Sequence, residues 1–129
     1  DVLILPTLSE SFGYSVLEAM SRSLAVISTN IGAIPEMVED EKNGFLVKAP
    51  KELIEYNAKF PYNKLQNFNL SKVQVKNIEE DLTRKIKELL DNKRLLTTMK
   101  RKSLQIVEEK FTFRQRNRLL KEVYEEAMK

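Results

Sequence analysis

The sequence predicts an α/β fold: part of a doubly wound parallel sheet followed by a helical C-terminal tail. Over the first 50 residues, short apolar runs alternate with helical patterns, as in parallel strands joined by right-handed crossovers. A strand, a loop with one glycine and a helix start follow one another at residues 2–20. After residue 50, the apolar residues recur at helical spacing.

The first 50 residues contain strands, helices and one tight turn in alternation. Pro35 suits the first turn of a helix, and Asn43-Gly44 is typical of a turn that leads into a strand. The predicted elements are a strand at Val2–Leu5, a helix over about 15–23, a strand at Ala25–Ser28, a helix from Pro35 and a strand at Phe45–Val47.

Residues 51–129 are predicted to form the helical tail of the same domain, with a short helix near 51–58 and a loop or insertion near 60–77. Three amphipathic helices follow, and Thr112-Phe-Arg-Gln115 is a capping-box sequence that would begin the last one. We expect their apolar stripes to be core positions. The stripes are Ile78, Leu82, Ile86 and Leu89; then Leu95, Met99, Ile106 and Val107; then Leu120, Val123, Tyr124 and Ala127.

Composition excludes several classes of chemistry. The 129 residues include no cysteine and no histidine, which removes disulfides, Cys or His metal sites and any Ser-His or Cys-His catalytic pair. The acids at 36–41 lack an EF-hand pattern, so no metal site is predicted. No stretch is apolar enough to cross a bilayer, and a cytoplasmic setting is expected.

Charge is unevenly distributed along the chain. Residues 1–50 carry seven acids and three bases (net −4), whereas residues 51–129 carry twelve acids and nineteen bases (net +7). A basic half is typical of proteins that bind nucleic acid or an anionic membrane surface, but also of helices with solvated lysine-rich faces. Acids are interleaved throughout this half, which favours solvated helices.

The most informative segment is Glu10-Ser-Phe-Gly-Tyr-Ser-Val-Leu-Glu18. A strand, a loop and a helix start present backbone N–H groups to a phosphate, and Gly13 would let the main chain approach a ligand. Carboxylates can accept hydrogen bonds from the paired hydroxyls of a ribose or a hexose. Glu10 and Glu18 are two such acids, and backbone N–H groups that can donate hydrogen bonds to a phosphate lie between them. This arrangement predicts a pocket for a nucleotide sugar.

Five ordered segments together resemble the C-terminal domain of glycosyltransferase family 4, a family of retaining enzymes with the GT-B fold. The resemblance is close over roughly residues 1–50 and implies a Rossmann-like sheet. The segments are Leu5-Pro6, Glu10–Met20, Ala25–Ser28, Ile31-Gly-Ala-Ile-Pro-Glu36 and Asn43-Gly-Phe-Leu-Val47.

The resemblance implies a role for each residue of the motif. Glu10 would bind hydroxyls of the donor sugar and act as the catalytic-site acid, and Glu18 would hold the ribose diol. The loop between them would face the sugar and the distal phosphate through its backbone amides. Its residues are Ser11, Phe12, Gly13, Tyr14 and Ser15. The family often has two glycines where this chain has Gly32-Ala33, which makes close approach of the donor at that point less certain.

The resemblance also implies what the parent protein contains. Its substrate would be a nucleoside-diphosphate sugar. From the residues themselves, we expect no metal or other cofactor and no nucleic acid as partner. Because the chain opens on Asp1 within a predicted core strand, we expect a missing N-terminal domain that binds the acceptor, and an inactive fragment. Peripheral contact with the inner face of the membrane is left open.

Other interpretations remain beside these. Ser15-Val-Leu-Glu18 is itself a capping-box sequence, which could explain Glu18 without a ligand, and Tyr14 could cover the core. The rival function is a non-catalytic α/β module that binds nucleotide or nucleic acid through its basic tail. A nucleic-acid surface should show aromatic residues interleaved with arginines, and the nearest match is Phe111, Phe113, Arg114, Arg116 and Arg118. The two phenylalanines, however, are placed where they would fix the start of a helix.

Overall fold

The structure, a computed structural model, describes residues 1–59 and 68–129. In these two ranges, three parallel strands form one sheet in the order β1-β2-β3, with β1 at Val2–Leu5, β2 at Ala25–Thr29 and β3 at Gly44–Val47. The described residues also form six helices, which surround or follow the sheet: α1 Tyr14–Ser21, α2 Ile34–Met37, α3 Lys51–Lys59, α4 Lys72–Asp91, α5 Lys93–Lys110 and α6 Phe113–Ala127. The predicted α/β class with a helical tail is confirmed.

Alternate residues of β2 point to two separate cores, as the pleat of a central strand requires. Val26 packs on α1, α2 and the C-terminal half of α5, together with Val16, Met20 and Ile106. Ala25 and Ile27 pack instead with Phe45 and with apolar residues of α4 and α5, which include Leu89 and Met99. Helices on both faces of a parallel sheet make the three-layered arrangement of a doubly wound fold.

A third, smaller core lies beyond the strand ends. Ile31, Ala49 and Leu53 are buried there, with Leu8 and Ile54 packed against them. This core packs α3 beside the loops that follow β1 and β2.

The turn into β3 is fixed by the buried side chain of Asn43. Its Oδ1 accepts from the Glu39 amide at 2.7 Å, and its Nδ2 donates to the Met37 carbonyl at 3.2 Å. The Ser103 hydroxyl of α5 donates to the Asn43 carbonyl at 3.0 Å, so the turn is tied to the helical tail. The predicted turn at Asn43-Gly44 is confirmed.

The predicted apolar stripes of α4 and α5 are confirmed as core positions. In α4 the whole stripe packs in the cluster beneath β3, with Leu89 the most buried member. The stripe of α5 divides, since Leu95 and Met99 pack on the same face of the sheet as α4, whereas Ile106 and Val107 pack on the other. Helix α5 therefore joins the two cores.

The core prediction for α6 is wrong, because none of its residues is buried. Leu120 is 41% exposed, Val123 61% and Tyr124 64%, and Ala127 is exposed as well. The helix does begin at the predicted cap, since the Thr112 hydroxyl accepts from the Gln115 amide at 3.3 Å. Amphipathic periodicity predicted the helix correctly but could not show whether a neighbour would cover its apolar face.

Two local predictions are also corrected. The N-cap of α1 is Gly13 and not Ser15, and no side-chain hydrogen bond caps that helix, so the capping box at Ser15–Glu18 does not form. The loop predicted near 60–77 is wrong for 72–77, where α4 begins with a capping box between Ser71 and Gln74. Residues 60–67 lie outside the described part of the chain.

Within the described ranges, none of the helices combines the length and the apolar character that crossing a bilayer requires.

Candidate functional site

The candidate site lies at the carboxyl ends of β1 and β2, where parallel α/β sheets place their ligands. The loop that follows β1, residues 6–13, carries Glu10, and its start is held through carbonyl oxygens by side chains from elsewhere in the fold. The Ser28 hydroxyl donates to the Leu5 carbonyl at 2.6 Å, the Thr29 hydroxyl donates to the Thr7 carbonyl, and Asn57 Nδ2 of α3 donates to the Leu8 carbonyl at 3.0 Å.

The Glu10 carboxylate binds the amides of its own loop. Its Oε1 accepts from the Ser11 amide at 3.0 Å and from the Gly13 amide at 3.1 Å. The structure therefore brings together the acid and two of the amides that the sequence predicted for sugar and phosphate. In this arrangement, one oxygen of the acid satisfies both amides.

Gly13 is required where the loop enters α1. Its φ of 85° lies in the left-handed region that residues with a Cβ rarely adopt. A Cβ at this position would lie 3.0 Å from Met37 Cε and 3.4 Å from Ile34 Cγ1. The missing side chain thus makes room for α2, in addition to allowing the turn.

The N-terminus of α1 leaves backbone donors unused. The amides of Tyr14 and Ser15, the first two of the helix, have no acceptor in the part of the chain that the structure describes. These are orphan donors of an eight-residue helix, and the helix dipole adds partial positive charge there.

Glu10 and Glu18 line two different concavities. The Glu10 concavity has a volume of about 610 Å³, and the loop after β2 and α3 supply most of its wall. It is lined by Glu10, Ser11, Asn30, Gly32, Ala33, Pro35, Glu36, Ile54, Asn57 and Ala58. The Glu18 concavity, of about 480 Å³, is lined by Ser15, Glu18, Ala19, Ser21, Arg22 and Leu24.

The side chain of Glu18 is exposed and makes no hydrogen bond or ion pair to residues 1–59 or 68–129. One turn earlier on the same face of α1 lies Tyr14, which is 70% exposed, so the alternative in which Tyr14 covers the core is wrong. The Tyr14 ring contacts that of Phe12, with ring centroids 4.8 Å apart. An acid and one aromatic ring of α1 are therefore exposed on this face, with the ring of Phe12 beside them.

The loop after β2 contacts the Glu10 loop directly. The Ala33 amide donates to the Ser11 carbonyl at 3.3 Å. Gly32 has a φ of 56°, and a Cβ there would lie 2.0 Å from the Glu10 carbonyl oxygen. At Gly32 the two loops therefore touch backbone to backbone.

The sequence did not predict the residues that hold the site in place. Ser28, Thr29 and Asn57 are ordinary polar residues of a strand and a helix, and Asn57 bonds a carbonyl 49 positions earlier. A polar residue on the buried side of an amphipathic helix is a weak signal of such a contact, since buried polar groups need partners. Asn57, which is 6% exposed, is such a residue.

Phe111 and Phe113 were both expected to fix the start of α6, but the structure places them differently. Phe111 packs against the core near α1, as a residue that fixes a helix start would. Phe113 is instead 79% exposed, and the Arg116 guanidinium lies 5.6 Å from its ring centroid. The expectation that both phenylalanines anchor α6 is therefore wrong for Phe113.

Fold and site together define an α/β domain with acids and free backbone donors at the carboxyl edge of a parallel sheet. Residues 1–59 match the family model described as "Glycosyl transferases group 1". The matched segment, which contains the three strands and α1, α2 and α3, is thus similar to group 1 glycosyltransferases.

Three named relatives each align with 44 to 50 residues of this chain. The D-inositol 3-phosphate glycosyltransferase of Paenarthrobacter aurescens is 40% identical over 47 residues, which is 36% of this chain and 12% of that protein. The sucrose synthase of Denitrovibrio acetiphilus is 42% identical over 50 residues, 39% of this chain and 6% of that protein. The sulfoquinovosyl transferase of Arabidopsis thaliana is 41% identical over 44 residues, 34% of this chain and 9% of that protein. The matched segment is thus a small part of each relative.

Proposed function

We propose that this chain is the donor-binding part of a retaining glycosyltransferase of family 4. The parent protein would transfer a hexosyl group from a nucleoside-diphosphate sugar to an acceptor hydroxyl. The observation that carries the proposal is the Glu10 carboxylate on the amides of Ser11 and Gly13, at the carboxyl edge of the sheet. It lies within the segment that matches the glycosyltransferase family model.

Each part of the donor has a group of matching chemistry. Glu10 accepts hydrogen bonds from hydroxyls of the sugar, and Glu18 accepts them from the ribose diol. The diphosphate lies between them, against the N-terminus of α1 and the amides of the loop from Ser11 to Ser15, with Phe12 beside it. Because Glu10 and Glu18 line different concavities, the donor must be extended to reach both acids.

Ligand binding changes the partners of Glu10. In the free chain, Oε1 satisfies the amides of Ser11 and Gly13. When a phosphate or sugar oxygen takes these amides, the carboxylate is released to accept the sugar hydroxyls. The exchange conserves the number of charge-assisted hydrogen bonds, so its cost is small.

Catalysis in such a site comes from positioning the donor and stabilising the departing diphosphate, with the acceptor attacking on the face that the leaving group vacates. No metal is part of this proposal. In the parent protein, the acceptor site belongs to an N-terminal domain. The parent acts in the cytoplasm or in peripheral contact with the inner face of the membrane. Nucleic acid is not a partner.

Nucleotide titration of the 129-residue chain tests the proposal. NMR spectra recorded with UDP, GDP and ADP sugars should show amide shifts that cluster at residues 10–18. The affinity should be about millimolar, since only part of the donor is covered. Shifts confined to α4, α5 and α6 would contradict the proposal.

Two acid variants assign the roles. Glu18→Ala should weaken the binding of the sugar nucleotide and of the bare diphosphate alike, by about 1.5–3 kcal/mol, because the ribose diol loses its charged hydrogen-bond acceptor. Glu10→Ala should weaken the binding of the sugar nucleotide only. The matched control is Glu52→Ala, which removes an exposed acid from the first turn of α3. If Glu10→Ala weakens the bare diphosphate as much as Glu18→Ala does, the assignment is wrong.

The rival is a binding module that takes nucleic acid through its basic tail. The exposed Phe113 beside Arg116 favours it, because bases stack on aromatic rings and on guanidinium groups. Salt-dependent binding of a single-stranded oligonucleotide, lost in Phe113→Ala and absent for nucleotide sugars, would establish this function in place of the first.

A further inference from the structure

The carbonyl of Glu10 lies directly against the α-carbon of Gly32. A Cβ at position 32 would lie 2.0 Å from the Glu10 carbonyl oxygen, 2.9 Å from its carbonyl carbon and 3.3 Å from the Ser11 carbonyl oxygen. All three are backbone atoms, so no side chain can rotate away to relieve the contact. Any side chain at position 32 must therefore displace the Glu10–Ser11 peptide and the loop after β2 relative to each other.

The carboxylate of Glu10 depends on that same peptide. The Ser11 amide donates a hydrogen bond to Glu10 Oε1 at 3.0 Å. This amide belongs to the peptide unit whose carbonyl touches Gly32. The Ala33 amide holds the next carbonyl, that of Ser11, at 3.3 Å. A displacement of this peptide therefore moves both the acid and the amide that orients it.

We propose that Gly32 is a positioning residue for Glu10, and that it thereby sets the preference of the site for the sugar part of the donor. The proposal rests on the proposed function, because it takes Glu10 as the acid that binds the sugar. A side chain that must meet specific hydroxyls tolerates a displacement of only about 0.5 Å. The displacement that a Cβ at position 32 would require is larger than that, because the Cβ would lie 2.0 Å from the Glu10 carbonyl oxygen and carbon and oxygen atoms pack at well over 3 Å.

The neighbouring position has no such requirement. Ala33 has φ −82° and ψ −1°, which any residue adopts readily. The pair Gly32-Ala33 thus has its glycine at the position where the two loops touch. This makes Ala33→Gly a matched control that changes one methyl group beside the contact.

The first arm of the test needs no ligand. NMR spectra of the 129-residue chain should show that Gly32→Ala moves the amide resonances of Ser11 and Gly13, while those of β2 stay in place. Ala33→Gly should leave both sets unchanged. Gly32→Asn separates the two causes, since asparagine tolerates positive φ better than alanine but still carries a Cβ; it should move the resonances of Ser11 and Gly13 as alanine does.

The second arm compares UDP, GDP and ADP sugars with the matching bare diphosphates. In Gly32→Ala, the affinity for the sugar nucleotide should fall about tenfold while that for the bare diphosphate is kept, the same split as in Glu10→Ala. A purely structural effect would weaken both ligands equally, and that result would overturn the proposal.

Two further results would overturn it. The first is that Gly32→Ala leaves the amide resonances of Ser11 and Gly13 unchanged. The second is that Gly32→Ala abolishes the resonances of β2, because Gly32 would then support the whole fold and not this loop alone. If the unsubstituted chain binds none of these nucleotides, the proposed function fails, and the ligand-free shifts alone decide whether Gly32 positions Glu10.

Discussion

The loop at residues 6–13 and helix α5 both pack against the sheet, but different interactions hold them. The loop is fixed by hydrogen bonds to the carbonyl oxygens of Thr7, Leu8 and Ser11, by the side chain of Leu8 in the small third core and by the backbone contact at Gly32. Helix α5 is fixed by apolar side chains that fill both cores, with Met99 and Ile106 almost fully buried. The site can therefore be displaced by changes that leave the fold intact, whereas changes in α5 affect stability first.

The largest expected effect comes from the core of α5. Ile106→Ala removes buried methyl and methylene groups beside Val26 and Met20, which should lower the free energy of unfolding by about 2–5 kcal/mol. Urea denaturation followed by circular dichroism measures this loss. The matched control is Leu120→Ala in the exposed stripe of α6, where we expect a change within about 0.5 kcal/mol. Equal losses in the two variants would show that α6 is packed against the domain after all.

A smaller effect is expected at the link between α3 and the loop. Asn57→Ala removes the donor to the carbonyls of Leu8 and Leu53 and should cost about 1–3 kcal/mol. NMR spectra should distinguish this variant from Ile106→Ala, because Asn57→Ala removes a hydrogen bond to the loop and leaves the packing of α5 unchanged. Amide shifts should concentrate at residues 8–11. Shifts spread evenly over the sheet and α5 would show that Asn57 supports the core and not the loop.

The smallest effect concerns the ion pairs of Glu39, which link the loop after α2 to α5. Hydrogen bonds from Lys42 and Lys110, each at 3.0 Å, hold the pKa of the Glu39 carboxyl below its ordinary value. A lowered pKa in the folded state stabilises the fold above the unfolded pKa of about 4.3, and this stabilisation is lost as the pH falls through the folded pKa.

Glu39→Gln should therefore cost up to about 1 kcal/mol at pH 7 and nothing at pH 2, because the pairs are partly exposed. Urea denaturation of both proteins across this pH range measures the difference. Lys110→Gln is the companion variant, since it should reproduce part of the loss and add little to Glu39→Gln. A difference that persists at pH 2 would mean that the ion pairs are not its cause.

The sequence predicted the sheet well because its signals are local. Val2–Leu5 is the strand that the apolar run indicated, and β2 extends only one residue further, to Thr29. The start of α1 was misplaced because two cap signals compete within three residues. The left-handed turn of Gly13 begins the helix before Ser15 can cap it.

The site was predictable only in part. The strand–loop–helix pattern placed Glu10 next to the loop amides, which the structure has at 3.0 and 3.1 Å. It did not predict that the acid would bind those amides itself. The contacts of Asn57 and Gly32 with the loop join residues distant in sequence, and a single sequence carries no periodicity that indicates such pairs.

Helix α6 carries its charges in an order that opposes its own dipole. Its four bases, Arg114, Arg116, Arg118 and Lys121, precede its three acids, Glu122, Glu125 and Glu126. The bases thus lie towards the positive end of the helix and the acids towards the negative end. The ion pairs from Arg118 to Glu122 and from Lys121 to Glu125 also run in the weaker direction. With no buried residue, a helix of this length is marginal in water. The helix content of α6, measured by the backbone chemical shifts of residues 113–127, therefore reports whether another surface covers its apolar face.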